Sequence, residues 1–286
     1  MYILAGSSSV LANHILPGFR DHFQVCAFDR DRGDIQNGDF VADLIDEIKP
    51  TVFINCSQMD HLDECEYKRD IAYSVNATAV GNVAKLCRER GILLVHFSSS
   101  HVFDGTGNVP FGVEDAPNPI SAYGDSKLLG EKLIEESGCD HLIVRVPDVF
   151  GRGNSFLHQI ISNIRTDRHV KVMRDQIISP TYALDISEAL RALLDRGARG
   201  IFHFANEGSC RMKEFIRTSV DLFRKHSGKQ LDCDIQEMDH DDFLSVVDLC
   251  TFNVLDCSRY RETVSQPVRD WKTSLDDFMM NYFTDL

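Results

Sequence analysis

Tyr2-Ile-Leu-Ala-Gly6-Ser-Ser-Ser-Val-Leu-Ala12 is the stretch whose reading decides the fold. Residues 2–5 are a short apolar run closing on a glycine. A serine turn follows, then an apolar stretch that reaches Leu16 and is expected to stop at Pro17-Gly18. A buried strand feeding a helix through a glycine turn is the opening unit of a doubly wound sheet. In such a unit the glycine permits a tight turn and close approach of backbone to a pyrophosphate, which rests on the helix N-terminus. Of a Gly-x-x-Gly-x-x-Gly pattern only Gly6 is kept, with Ser9 and Ala12 at the later positions. Ala12 suits helix–strand packing, whereas Ser9 brings a hydroxyl to where phosphates approach. Gly6, Ser8, Ser9 and Val10 are therefore the candidate phosphate-facing residues, although a plain serine-rich turn fits this stretch equally well.

Working outward, the same rhythm recurs. Gln24–Phe28, Thr51–Asn55, Ile92–Phe97 and His141–Val146 are near-continuous apolar runs. Between them lie helical patterns at Val41–Ile48, Tyr67–Arg90 and from Ser121 onward. Continuous apolar strands alternating with helices predict a parallel sheet covered on both faces, an α/β, doubly wound, Rossmann-like fold. The rhythm loosens after Phe150. We expect residues 1–150 to form a dinucleotide-binding domain. Residues 151–286 then form mainly a smaller α+β substrate domain, with segments near 174–205 returning to the sheet. Helices are expected near 156–165, 184–195, 212–224 and 273–284.

The chain has 286 residues, 43% apolar and 26% charged, which suits a globular protein with an ample core. A net charge of -14 disfavours nucleic acid or an anionic membrane as partner. No apolar run approaches the ~20 residues that span a bilayer, and the N-terminus lacks a basic signal-type segment. Nine cysteines without a Cys-x-x-Cys pair read as reduced thiols, hence a cytoplasmic protein with no metal site.

Two further groups of residues carry chemistry. Asp29 ends the second strand roughly 20 residues beyond the glycine, where a carboxylate accepts from an adenosine ribose. Arg30 beside it suits a 2′-phosphate, so NAD(H) and NADP(H) both stay open. The fourth strand ends in Ser98-Ser-Ser-His101, at the side of a doubly wound sheet where ligands gather. Next comes Ser121-Ala-Tyr-Gly-Asp-Ser-Lys127, which opens a helix and places Tyr123 and Lys127 one turn apart on one face. A cation there is expected to lower the phenol's pKa and ready it for proton transfer at an alcohol or carbonyl oxygen. Tyr-x-x-x-Lys alone is common on solvated helices. A strand-end serine followed by that helix is far more specific.

Ordered matches surround these residues. They include Gly38-Asp-Phe40, Asn55, Leu62-Asp-Glu-Cys-Glu66, Val75-Asn-Ala-Thr78, His96-Phe-Ser-Ser99 and Val102-Phe-Asp-Gly-Thr106. Pro119 through Glu131, Arg145, Val149-Phe-Gly151 and Ser179-Pro-Thr181 continue the series. With them the chain resembles the extended short-chain dehydrogenase/reductase superfamily over residues 2–225, and within it the dTDP-4-dehydrorhamnose reductase branch. The resemblance implies NAD(P)H-dependent reduction of a nucleotide-activated 4-keto-6-deoxy sugar, a nucleotide-sugar substrate, and leaves a homodimer open. It implies Tyr123 as general acid, Lys127 as its partner and binder of the nicotinamide ribose, and Ser99 as donor to the same keto oxygen. Asp39 and Phe40 would flank the adenine, and Cys56, Ser57 and Gln58 would line the cofactor cleft. Ser100 and His101 replace the branch's usual Asp and Tyr, and Asp148 replaces a common aromatic, so substrate contacts at these three positions are expected to differ. His101 reads either as a second acid, as a sugar-phosphate contact, or as an ordinary loop histidine. The same branch resembles the regulatory β subunit of methionine adenosyltransferase, so a non-catalytic scaffold is the competing expectation.

Overall fold

The computed structural model describes residues 1–167, 169–239, 247 and 250–282. The first half alternates strand and helix. It runs β1 (Tyr2–Ala5), α1 (Val10–Arg20), β2 (Val25–Phe28), α2 (Gly38–Ile48), β3 (Val52–Asn55), α3 (Leu62–Tyr67) and α4 (Arg69–Tyr73). After α5 (Ala79–Arg90), β4 (Leu93–Ser99), α6 (Ala122–Ser137) and β5 (His141–Val146) complete it. Beyond lie β6 (Val149–Phe150), α7 (Phe156–Asp167), β7 (His169–Met173), β8 (Ile177–Ile178), β9 (Thr181–Tyr182) and α8 (Ala183–Asp195). Then come β10 (Gly200–His203), β11 (Cys210–Arg211), α9 (Met212–Ser227), β12 (Asp234–Met238) and β13 (Phe252–Asn253). Helices α10 (Ser258–Val264) and α11 (Trp271–Tyr282) close the described chain.

Six strands form one parallel sheet in the order β10-β5-β4-β3-β1-β2. This is the doubly wound α/β architecture expected from the apolar runs. Side chains alternate between faces along each strand, and both faces are covered. Leu4, Ile54, Val95 and Val144 pack with α1 and α8 on one side. Ile3, Phe53, Leu94 and Ile143 pack with α2 and α5 on the other. A separate core joins Phe150, Leu157, Phe215, Trp271 and Phe278, where three small sheets (β11-β8-β13, β12-β7 and β6-β9) lie against α7, α9 and α11.

Side-chain caps start the helices that matter for the cleft. Ser9 accepts from Ala12 N at 3.2 Å, Asn37 from Phe40 N at 3.1 Å, and Ser121 from Gly124 N at 3.1 Å. Gly138, with φ +67°, ends α6 in the left-handed conformation that terminates many helices.

Two expected boundaries are corrected. Helix α1 does not stop at Pro17 but runs on to Arg20. An interior proline costs about 3 kcal/mol. Phe19, two residues further and 1% exposed, offsets about 1.5–3 kcal/mol of that by burial, with its ring 6.2 Å from that of Tyr2. The single long helix expected over 67–90 is broken twice. Lys68 leaves helical geometry (φ -124°, ψ 50°), and Ser74–Thr78 form a π-helical turn between α4 and α5. That turn swings Asn76 inward. Its carbonyl oxygen lies so near Gly130 of α6 that any Cβ there would stand 2.3 Å away. The last expected helix is found as α11; its expected end at 283–284 lies outside the described residues.

Candidate active site

Strand β1 pairs with β2 on one side and β3 on the other, so the chain's direction of winding reverses between β1 and β3. The crevice beyond their carboxyl ends is where such sheets bind ligands. Gly6 sits at its floor with φ +78°, and a Cβ on it would come within 2.6 Å of the Ser57 backbone nitrogen. The turn is thus closed against the 56–58 loop with no room for a side chain. Ser9 is occupied as the cap of α1, exposed Ser8 lies at the crest, and half-buried Val10 begins the helix. The first-turn amides of α1 that the cap does not reach have no intrahelical acceptor.

At the end of β2, Asp29 accepts from Ser7 Oγ at 3.1 Å, which ties the carboxylate to the turn. Arg30 is exposed, while Arg32 folds back to donate to Ala27 O at 3.2 Å. Asp39 is exposed on the first turn of α2. Phe40 packs edge-on against Phe28, with ring centroids 5.4 Å apart. Cys56 is buried with its thiol pushed up by burial, Ser57 N donates to Asn55 Oδ1 at 2.9 Å, and Gln58 reaches Lys127.

The reacting end is drier. Strand β4 continues past Phe97 to Ser99, whose hydroxyl accepts from His101 N at 3.2 Å and acts to lower the pKa of the Tyr123 phenol. Tyr123 is 7% exposed and Lys127 fully buried, both on the first turns of α6. The Lys127 ammonium donates to Phe97 O at 2.6 Å and to Gln58 Oε1 at 3.3 Å. The expected lowering of the phenol's pKa is not found. Burial raises it, Asp60 raises it further, and the Ser99 hydrogen bond lowers it only in part. Lys127 points at a strand carbonyl, and burial lowers its own pKa to about 8 against the opposing pull of Glu131 and Asp60. A phenol raised in this way stays protonated at neutral pH, the state a proton donor needs.

Of the three positions expected to read substrate, Ser100 is buried and its hydroxyl has no partner among the described residues. His101 stands edge-on to Tyr123, centroids 5.6 Å apart, with Nδ1 3.8 Å from Cys250 Sγ. Burial lowers its pKa to about 4. At pH 7 that favours the neutral imidazole. Asp148 follows β5 with φ +21°, a strained value for a residue with a side chain. Its carboxylate accepts from Ser179 N at 3.1 Å and Asn253 Nδ2 at 3.0 Å, and burial raises its pKa to about 7. Asp148 thus ties the end of β5 to β13 and lies on a different strand end from His101.

The spacing of Ser99, Tyr123 and Lys127 gives no hint of Asn76. From the π-helical turn it accepts from Met59 N at 2.9 Å. It also donates to Met59 O at 2.9 Å and to Ser126 Oγ at 3.0 Å. It pins the loop bearing Gln58 and Asp60 to the helix bearing Tyr123 and Lys127. In the sequence it was visible as part of the Val75-Asn-Ala-Thr78 match and as a poor helix former inside an otherwise helical run.

A dinucleotide fits this set of groups. The glycine turn clears its closest point of side chains, free amides head α1, a carboxylate ends β2, and the Tyr123 phenol stands near the end of β4 with the Lys127 ammonium buried one turn behind it. Comparisons with known proteins agree. A dTDP-4-keto-6-deoxy-D-glucose reductase from Streptomyces niveus is 28% identical over 277 residues, 96% of this chain and 94% of that protein. The crystal structure of a dTDP-4-dehydrorhamnose reductase from Clostridium acetobutylicum matches with a TM-score of 0.91 and 29% identity, covering 100% of both chains. A dTDP-4-dehydrorhamnose reductase from Bacillus anthracis, solved in complex with NADP, matches with a TM-score of 0.90 at 26% identity over 98% of each chain. The family model of the RmlD substrate binding domain spans residues 1–283, and the chain belongs to that family.

Proposed function

We propose that this protein is an NAD(P)H-dependent reductase of a nucleotide-activated 4-keto-6-deoxy sugar. The observation that carries the reading is the buried set of Ser99, Tyr123 and Lys127, brought together where β4 ends against the first turns of α6. The reductase names of its full-length relatives and the NADP held by the Bacillus anthracis enzyme support it. When bound, the nicotinamide supplies the hydride. Tyr123 delivers its phenolic proton to the keto oxygen as negative charge develops there. Ser99 donates a hydrogen bond to the same oxygen, a preorganised donor at the point of charge build-up. Lys127 keeps a positive charge one turn below the phenol and would hold the nicotinamide ribose. The first-turn amides of α1 would hold the pyrophosphate, Asp29 or Arg30 the adenosine ribose end, and Asp39 and Phe40 the adenine edge.

Residues 1–150 are the cofactor half in this reading. Residues 151–286 shape mainly the substrate side, with β10 completing the sheet next to β5. His101 and Asp148 face the sugar nucleotide as neutral or hydrogen-bonded groups. No described helix is long and apolar enough to cross a membrane, and all nine cysteines are free thiols. A cytoplasmic enzyme suits those thiols.

The test is direct. Purified protein given NADPH or NADH with a dTDP-4-keto-6-deoxy sugar should oxidise the cofactor, and NMR should find the reduced C4 alcohol. Absence of turnover with both cofactors would overturn the reading.

A further inference from the structure

Tyr123, Lys127 and Glu131 occupy positions i, i+4 and i+8 of α6, one face of the helix. Glu131 is only 2% exposed, as is Arg145 on β5. The guanidinium grips the carboxylate with two bonds, Nε to Oε1 at 3.0 Å and Nη2 to Oε2 at 2.6 Å. Its third edge meets His203 Nε2 on β10 at 3.4 Å, and it lies 5.3 Å from the Phe103 ring centre. His203 Nδ1 lies 3.1 Å from Phe111 O. Donation by Nδ1 to that carbonyl leaves Nε2 free to accept from Arg145, so the network assigns a neutral histidine. Every member of the chain from Glu131 to Phe111 is therefore satisfied. A buried ion pair is costly to desolvate and does not by itself argue for stability.

Lys127 explains what such a pair is for. Its ammonium bonds only neutral acceptors, Phe97 O and Gln58 Oε1. The ionisable groups whose charge couples to it are Glu131 one turn along its own helix, Asp60 and Cys56 from the loop after β3, Cys65 on α3 and His96 on β4. Cys56 and Cys65 are neutral thiols raised by burial, and His96 is a neutral imidazole. Asp60 is exposed, so its field is screened by water. Among the described residues this leaves Glu131 as the buried carboxylate that acts on Lys127, and Arg145 fixes its orientation.

We infer that Glu131 is a positioning residue, held by Arg145 and His203, whose fixed negative charge keeps the buried Lys127 ammonium protonated. The inference rests on the role given to Lys127 above, and its test separates the two. The ¹⁵N signal of the Lys127 side chain, assigned by its loss in Lys127→Met, is followed through a pH titration of the protein without substrate. In Glu131→Gln the midpoint should fall by about one pH unit, a tenfold loss of proton affinity. The alkaline limb of the pH–rate profile should move down with it. Because Glu131→Gln strands Arg145, the double variant Glu131→Gln/Arg145→Gln is titrated as well. It should show a fall in the same direction. A parental midpoint in either folded variant would overturn the inference. A shifted signal with an unmoved alkaline limb upholds it and counts instead against Lys127's part in the reaction.

Discussion

Between Gly6 and Asp29 the cleft is walled by half-exposed serines, a helix cap and a carboxylate held by one hydroxyl. From Ser99 to Arg145 it is backed by a buried phenol, ammonium, carboxylate and guanidinium, the three charged groups each with a named partner. Water can replace a lost contact in the first wall, so serine can stand where relatives of this plan carry glycine. Nothing can replace one in the second, because an unpartnered charge there keeps its whole desolvation penalty. The nucleotide wall is therefore the tolerant one and the proton-delivering wall the exacting one.

The sharpest way to break that contrast is Tyr123→Phe. It deletes one hydroxyl beside Ser99, and leaves the ring in the apolar cluster it forms with Cys65 and Ala122. Loss of the proton donor should lower kcat about 10²–10⁴-fold while the melting temperature hardly moves. Steady-state kinetics and a thermal melt on the same sample check both halves. Turnover close to the parent's would mean that the dry wall is not the source of the proton.

A second, smaller effect is set by pH. His96 and His203 lie in or behind the exacting wall, and His14 is on the buried face of α1, all buried. Burial lowers the pKa of His14 and His203 to about 4, aided by Arg152 and Arg145 respectively, and that of His96 well below its usual value, aided by Lys127. Each folded-state value is below the unfolded one, about 6.5, so the unfolded chain binds protons that the native state refuses. Their stabilising contribution is complete above pH 6.5 and is lost as pH falls toward the folded values. The slope is about 1.4 kcal/mol per pH unit for each histidine. Urea unfolding above pH 6.5 and again near pH 5 should show the loss. His203→Gln should flatten part of it, whereas the same change at exposed His61 should not. Equal stability at the two pH values would break the account.

How much of this was legible beforehand follows the same division. The parallel sheet was, because strands buried on both faces read as near-continuous apolar runs and those of β1, β3, β4 and β5 do. The Tyr123–Lys127 face was legible too, since i, i+4 spacing survives any tertiary context. The end of α1 was not: Pro17 is a local stop signal, and the burial of Phe19 that overrides it is a tertiary effect. Nor was the π-helical turn at Ser74–Thr78, whose cause is Asn76 bonding the Met59 loop and Ser126 across the fold. The sign of the Tyr123 shift was misread for a related reason. Spacing reveals a neighbouring charge, but the larger effect is burial, which depends on what covers the helix.

The smallest prediction tests the tolerant wall at its own weak point. Ser9 has two uses: its oxygen caps Ala12 N, and its hydroxyl proton is free to donate toward a phosphate. Replacing a capping serine by glycine costs only a few tenths of a kcal/mol, whereas alanine costs about 1 kcal/mol. If the hydroxyl serves mainly as a cap, Ser9→Gly should leave the dissociation constant of NADPH within about twofold, a difference worth less than about 0.5 kcal/mol. Ser9→Ala should then lower stability by about 1 kcal/mol with little further change in binding. If the hydroxyl also serves the phosphates, both variants should weaken NADPH by a similar factor, because both lose the same donor. Isothermal titration of the two variants against the parent, with a urea unfolding curve for each, decides between cap and ligand. Either outcome keeps kcat near the parental value, since Ser9 touches neither Tyr123 nor the oxygen it protonates. A large fall in kcat for Ser9→Gly would show that the two walls are coupled, and the contrast between them would no longer stand.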